Sequence, residues 1–124
     1  MPLIHAELSE RIIGCDIAVH KVLGPGFLEK IYEEALCLEL DKAGLRYERQ
    51  KTIIVSYDGK PIGEHRLDLL VEGLVVLELK ATAAIEDAHL ATARSYLKAT
   101  SLQLALIVNF ARPTLDIRRV VLTQ

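Results

Sequence analysis

At 124 residues the chain can bury one ordinary hydrophobic core, and no repeat, linker or low-complexity run divides it. It is 51% hydrophobic and 26% charged, the balance of a globular domain in water rather than of a disordered or fibrous chain. A net charge of −2 weighs against a protein that grips long duplex DNA by bulk counterion release. Arg46, Arg49, Lys51, Arg66, Arg94, Lys98, Arg112, Arg118 and Arg119 still leave room for a local basic patch. There is no apolar leader and no long apolar span, so export and membrane insertion are not expected, and a cytoplasmic location is. Cys15 and Cys37 both fall inside apolar helical patterns and read as buried free thiols, which suits a reducing compartment.

Residues 7–22 read as a helix, with Leu8, Ile12, Cys15, Val19 and Val22 at three- or four-residue spacing. Gly24, Pro25 and Gly26 break it. A second helix is expected over 28–43, with Leu28, Ile31, Ala35, Leu38 and Leu40 as its apolar set and Gly44 as its stop. Strands follow over 47–57 and 61–71, around the hairpin signal Asp58-Gly59. A third strand runs over 73–80, after a turn at Glu72-Gly73. Residues 85–99 read as a helix, with Ala88, Ala91, Ser95 and Ala99 placed for close packing. The nearly unbroken apolar run 102–109 fits a strand covered on both faces, and a last strand is expected over 116–122. The order is α-α-β-β-β-α-β-β. The third strand, the helix and the fourth strand should form a parallel crossover within a mixed five-stranded α/β sheet flanked by helices.

Three charges interrupt the apolar strands: Asp68 in the second, Glu78 and Lys80 in the third. Charge is costly where both faces of a sheet are covered, so it calls for a reason. Glu78 and Lys80, two apart, share a face. Two carboxylates and an ammonium group at one point suggest a divalent-metal site for phosphodiester chemistry. The turn decides whether they meet. A strict two-residue turn would pair Val71 with Leu74 and set Asp68 opposite Leu77. A three-residue or bulged turn pairing Val71 with Val75 is needed to bring Asp68 level with Glu78.

Asp68, nine intervening residues and then Glu78-Leu79-Lys80 resemble the core motif of the PD-(D/E)XK nuclease superfamily. Gly26-Phe-Leu-Glu29-Lys-Ile-Tyr32 is similar to the Gly-x-x-Glu-x-x-Tyr signature of the GxxExxY proteins placed in that superfamily. The likeness runs from about Ile12 to the C-terminus and implies a single restriction-endonuclease-like domain over 1–124. By this resemblance Asp68, Glu78 and the Leu79 carbonyl would hold Mg²⁺ or Mn²⁺, and Lys80 would position the attacking water. Glu29 would be a further metal ligand or water-positioning group. The implied activity is a metal-dependent nuclease acting on nucleic acid, DNA in the first instance, and the apolar fraction and exposed edges of a small sheet make a homodimer an expected partner state.

Each of these residues also has a plainer reading. Asp68, Glu78 and Lys80 could form an ion-pair cluster without metal. Glu29 could be a favourable charge at a helix N-terminus, contributing about 0.5 kcal/mol, with Tyr32 as a packing residue. Tyr32, His65, Arg66, Thr92 and Tyr96 are candidates for substrate contact. Thr92 departs from the family, whose members tend to carry Gln at this place, four residues before the Tyr. His89 has the bland reading of a surface histidine. A non-catalytic nucleic-acid-binding or protein-interaction module that keeps the fold is the competing function.

Overall fold

Turn chemistry sets the framework of the structure, a computed structural model that describes residues 3–123. The elements are α1 (Ala6–Leu23), α2 (Glu29–Lys42), β1 (Tyr47–Tyr57), β2 (Lys60–Val71), β3 (Val75–Lys80), α3 (Asp87–Thr100), β4 (Leu104–Asn109) and β5 (Asp116–Val121). Gly24 ends α1 at φ 65°, its amide bonded to the His20 carbonyl. Gly44, at φ 72°, closes the end of α2 on the Asp41 carbonyl. Asp58 and Gly59 both adopt positive φ, and Tyr57 pairs with Lys60 across them, as a two-residue hairpin requires.

The sheet runs β1-β2-β3-β4-β5. β3 and β4 are parallel and joined through α3, while the other three pairings are antiparallel. The expected α/β order is observed. Several boundaries move, β4 starting at Leu104 rather than 102, and two of the shifts have identifiable reasons. β3 starts at Val75 because residues 72–74 form the turn. α3 starts at Asp87 because Glu86 and His89 close a reciprocal capping box, leaving Ile85 outside the helix and buried against its underside.

A core lies on each face of the sheet. α1 and α2 cover one, where Ile12, Tyr32, Leu36 and Leu40 meet Leu69, Leu77, Leu79 and Leu106. α3 covers the other, where Ala93 and Leu97 meet Leu67, Leu70, Val76 and Ile107. Every residue of β4 is buried, as its apolar run requires. Burying one such leucine stabilises by about 1.5–3 kcal/mol.

Two helices are rotated from the sequence expectation. On α2 the expected Leu40 is buried and Ala35 packs against the core, but the rest of the buried stripe is Tyr32, Leu36 and Cys37, while Leu28, Ile31 and Leu38 are exposed. Two apolar stripes interleave on this helix, and the one carrying the ring that stacks on Phe110 at 4.5 Å faces inward. On α3 the inward residues are Ala93 and Leu97, whereas Ala88 and Ala91 are exposed. Both cysteines are buried free thiols. Among the described residues no helix is long and apolar enough to cross a membrane.

Candidate active site

The β2–β3 turn places the charges. Glu72 and Gly73 adopt φ 54° and 67°, and the Leu74 amide donates to the Val71 carbonyl at 3.0 Å. Val71 therefore pairs with Val75, Leu70 with Val76 and Leu69 with Leu77. One step further along this register, Asp68 comes level with Glu78. This is the three-residue turn that the spacing of the acids demands. The ladder ends at Leu69 and Leu77, and the next inward bond is made by a side chain: the Leu79 amide donates to Asp68 Oδ2 at 2.8 Å. The N–H and C=O of a strand residue point to the same neighbour, so the Leu79 carbonyl also faces the Asp68 side.

Glu78 is buried, and its Oε1 has no hydrogen-bond partner among the described residues. Burial pushes its carboxyl up to about 9, and the Asp68 carboxylate adds to the rise; the Asp68 amide and the Lys80 ammonium pull it back. Lys80 is half-buried and, among the described residues, enters no ion pair. The ion-pair cluster open to the sequence is thus not formed. Tyr96 approaches from α3. Burial pushes its hydroxyl up to about 12, with smaller contributions from the Glu78 and Asp68 charges.

α2 approaches from the other side. Glu29, in its first turn, accepts the Ala81 amide on Oε2 at 3.3 Å, one residue beyond Lys80. It lines an open pocket of about 490 Å³ with Glu33, Arg49, Gln50, Asp68 and Leu79. Among the described residues no three His, Cys, Asp or Glu side chains converge as a metal cage. Glu29 is accordingly not gathered with Asp68 and Glu78 as a third carboxylate ligand, because its reach ends on the backbone after β3.

Tyr32 does not face the pocket. It is fully buried, its hydroxyl donates to the Gly24 carbonyl at 2.6 Å and accepts the Phe27 amide at 3.2 Å. The expected substrate contact is replaced by a latch on the glycine loop between α1 and α2. His65 stacks edge-on against Tyr96 at 4.6 Å and lies 3.1 Å from Ser95 Oγ. Arg66 and Thr92 are exposed, Thr92 one turn before Tyr96 on α3. His89 accepts the Glu86 amide on Nδ1, so it belongs to the helix cap.

Three residues of this region escaped the sequence reading. Asn109, buried at the end of β4, holds the loop after β3 by exchanging bonds with Thr82 at 2.9 and 3.2 Å. Glu33 and Gln50 are bonded to each other at 2.7 Å in the pocket wall. Glu33 follows Glu29 by one helical turn, and that spacing was the available signal.

The family model described as the PD-(D/E)XK nuclease superfamily matches residues 6–120. A solved structure described as "Crystal structure of SSO0001" is similar, with a TM-score of 0.61 and 16% identity. The match covers 77% of this chain and 50% of that one, so the chain spans half the length of that protein, and the likeness is one of fold. The curated proteins give no match.

Proposed function

The chain belongs to the PD-(D/E)XK nuclease superfamily, and from that premise we propose that it is a divalent-metal-dependent nuclease hydrolysing phosphodiester bonds in DNA. One observation carries the reading. Among the described residues, Glu78 Oε1 is buried without a hydrogen-bond partner beside a second carboxylate, and Lys80 on the same strand face enters no ion pair. With its carboxyl pushed up to about 9, Glu78 keeps a proton near neutral pH, and a divalent cation that displaces this proton would neutralise the ionised form and fill its open coordination. Two carboxylates with a backbone carbonyl also suit Mg²⁺ or Mn²⁺, hard ions that favour oxygen and keep several waters. The motif Gly26 to Tyr32 supports the narrower placement among GxxExxY proteins.

Asp68, Glu78 and the Leu79 carbonyl are the groups that would hold the ion. When bound, it supplies Lewis acidity toward the phosphate and makes hydroxide available near neutral pH. Lys80 orients the attacking water and stabilises negative charge as it builds on the phosphoryl oxygens. Glu29 acts from the far wall of the pocket as a water-positioning group. Tyr96, kept protonated by its raised pKa, donates a hydrogen bond toward substrate. His65 supports its ring, and Arg66 and Thr92 offer outer contacts to phosphate. A homodimer, for which the edge strand β1 offers a pairing surface, is tested by light scattering.

Calorimetric titration of Mg²⁺ and Mn²⁺ into the wild type and Asp68→Asn tests the centre. Binding abolished by the substitution, followed by metal-dependent cleavage of DNA, is the expected result. Absence of both binding and cleavage in the wild type sinks the proposal. The net charge of −2 weighs against a vigorous stand-alone DNA enzyme and leaves a second reading, a non-catalytic nucleic-acid-binding or protein-interaction module. It is the one that survives if Asp68→Asn leaves partner binding intact and no divalent ion binds.

A further inference from the structure

Gln50 adopts φ 50°, a left-handed conformation that a residue with its side chain rarely takes inside a strand. It stands opposite Asp68: Arg49 pairs with Leu69 and Lys51 with Leu67 on either side. Across the same point β2 changes face. Leu69 packs under α1 and α2, yet Leu67, two residues away, packs under α3. In a regular strand those two side chains would share a face. The hairpin is therefore bent at Gln50 and Asp68. The bend frees the Asp68 carboxylate from the regular pleat, where it accepts the Leu79 amide.

A specific network holds the bend. Gln50 Nε2 donates to Glu33 Oε1 at 2.7 Å. The buried Glu33 accepts Arg49 Nε and Nη2 on its other oxygen at 3.1 and 2.9 Å. Arg49 is gripped again by Glu34. One turn earlier, Glu29 holds the amide of Ala81. One helix thus fixes both β1 at the bend and the backbone after β3. Side-chain bonds to a strand residue in a disfavoured conformation are the kind of support that such strain needs in order to persist.

We infer that Glu33, acting through Gln50, is a positioning residue that keeps the β1–β2 hairpin bent and aims Asp68 at the amide of Leu79. The inference rests on the reading of Asp68 as a metal ligand only for its functional consequence, since the aim itself is a property of the metal-free protein. A simple stabilising ion pair would act through Arg49 alone and would leave the Asp68–Leu79 bond untouched.

The test is amide hydrogen exchange on metal-free wild type, Glu33→Ala and Gln50→Ala, with metal titration alongside. Gln50 is exposed, so its variant folds even if Glu33→Ala does not. Leu79 exchange should rise by about tenfold or more in both variants, while the ladder amides of Leu77 and Leu106 keep wild-type protection. Mn²⁺ affinity should fall roughly 10–100-fold, the range for groups that orient a ligand. The double variant Glu33→Gln with Gln50→Glu exchanges donor and acceptor and should restore Leu79 protection. Unchanged Leu79 protection in both single variants overturns the inference, as does a loss shared equally by Leu77 and Leu106. A wild type that binds no metal would count against the nuclease reading, while the exchange data would still decide the role of Glu33.

Discussion

Asp16 and Glu78 are both buried carboxyls with oxygens that find no partner among the described residues, and burial raises the pKa of both. They differ in company. Asp16 sits in α1 within the apolar layer over the sheet, and burial alone accounts for its shift. Glu78 sits at the end of β3, where Asp68, Lys80 and Tyr96 all feel its charge or shape it. An orphaned carboxylate is therefore not by itself a site. What separates the two is convergence: the parting of β2 from β3 gives Glu78 a second acid and a cation on one strand face, whereas no neighbouring charge contributes to the Asp16 shift.

Replacing each acid should break that comparison in opposite directions. The largest effect belongs to Glu78→Gln. It should lower Mn²⁺ affinity by more than the roughly 10–100-fold typical of outer partners of a metal ligand, with cleavage lost in parallel, and calorimetry reads the first directly. Asp16→Ala should leave that titration unchanged.

Next comes pH. The Glu78 carboxyl titrates near pH 9 in the metal-free protein, so a cation must displace its proton below that. Apparent metal affinity should rise about tenfold per pH unit between roughly pH 6 and 8 and level off only above about pH 9. Calorimetry at two pH values in that window suffices, and a flat profile would mean that Glu78 is already ionised.

Asp16 provides the third contrast, in stability. Its folded-state pKa lies above the unfolded value near 3.8. Its contribution is therefore fully present below that value and is lost as pH rises through the folded pKa. Wild-type stability should decline on that account toward neutral pH, and Asp16→Ala should flatten the decline. At pH 7 the variant should be more stable by about 1–3 kcal/mol, the cost of burying a polar group without a partner. Urea denaturation at pH 5 and pH 7 measures both. The smallest effect is expected at Tyr32, a buried polar group that is fully paired. Tyr32→Phe should cost about 1 kcal/mol through the lost loop bonds and leave metal affinity unchanged.

Much of the fold and part of the site could be read from local pattern. Asp58-Gly59 is a turn in any context, and the apolar run of β4 has few alternatives. The register of Asp68 against Glu78 reduces to counting residues around one turn. The burial phase of α2 could not be read this way. Leu28, Ile31, Ala35 and Leu38 form as good a stripe as Tyr32, Leu36 and Leu40, and only packing against Phe110 and the sheet distinguishes them. The bond between Glu33 and Gln50 joins two elements, and nothing near Gln50 announces a left-handed strand residue. Asp16 was invisible for the opposite reason: a lone Asp on a helix usually finds water.

The two thiols give the helical layer a clock. Cys15 Sγ donates to the Glu39 carbonyl, tying α1 to α2, and Cys37 lies in the same layer. Burial raises the pKa of both, so little thiolate is present and little of it is reachable while the layer is closed. Alkylation of the native protein would then run no faster than α1 and α2 lift from the sheet, and its rate would report how often they do so.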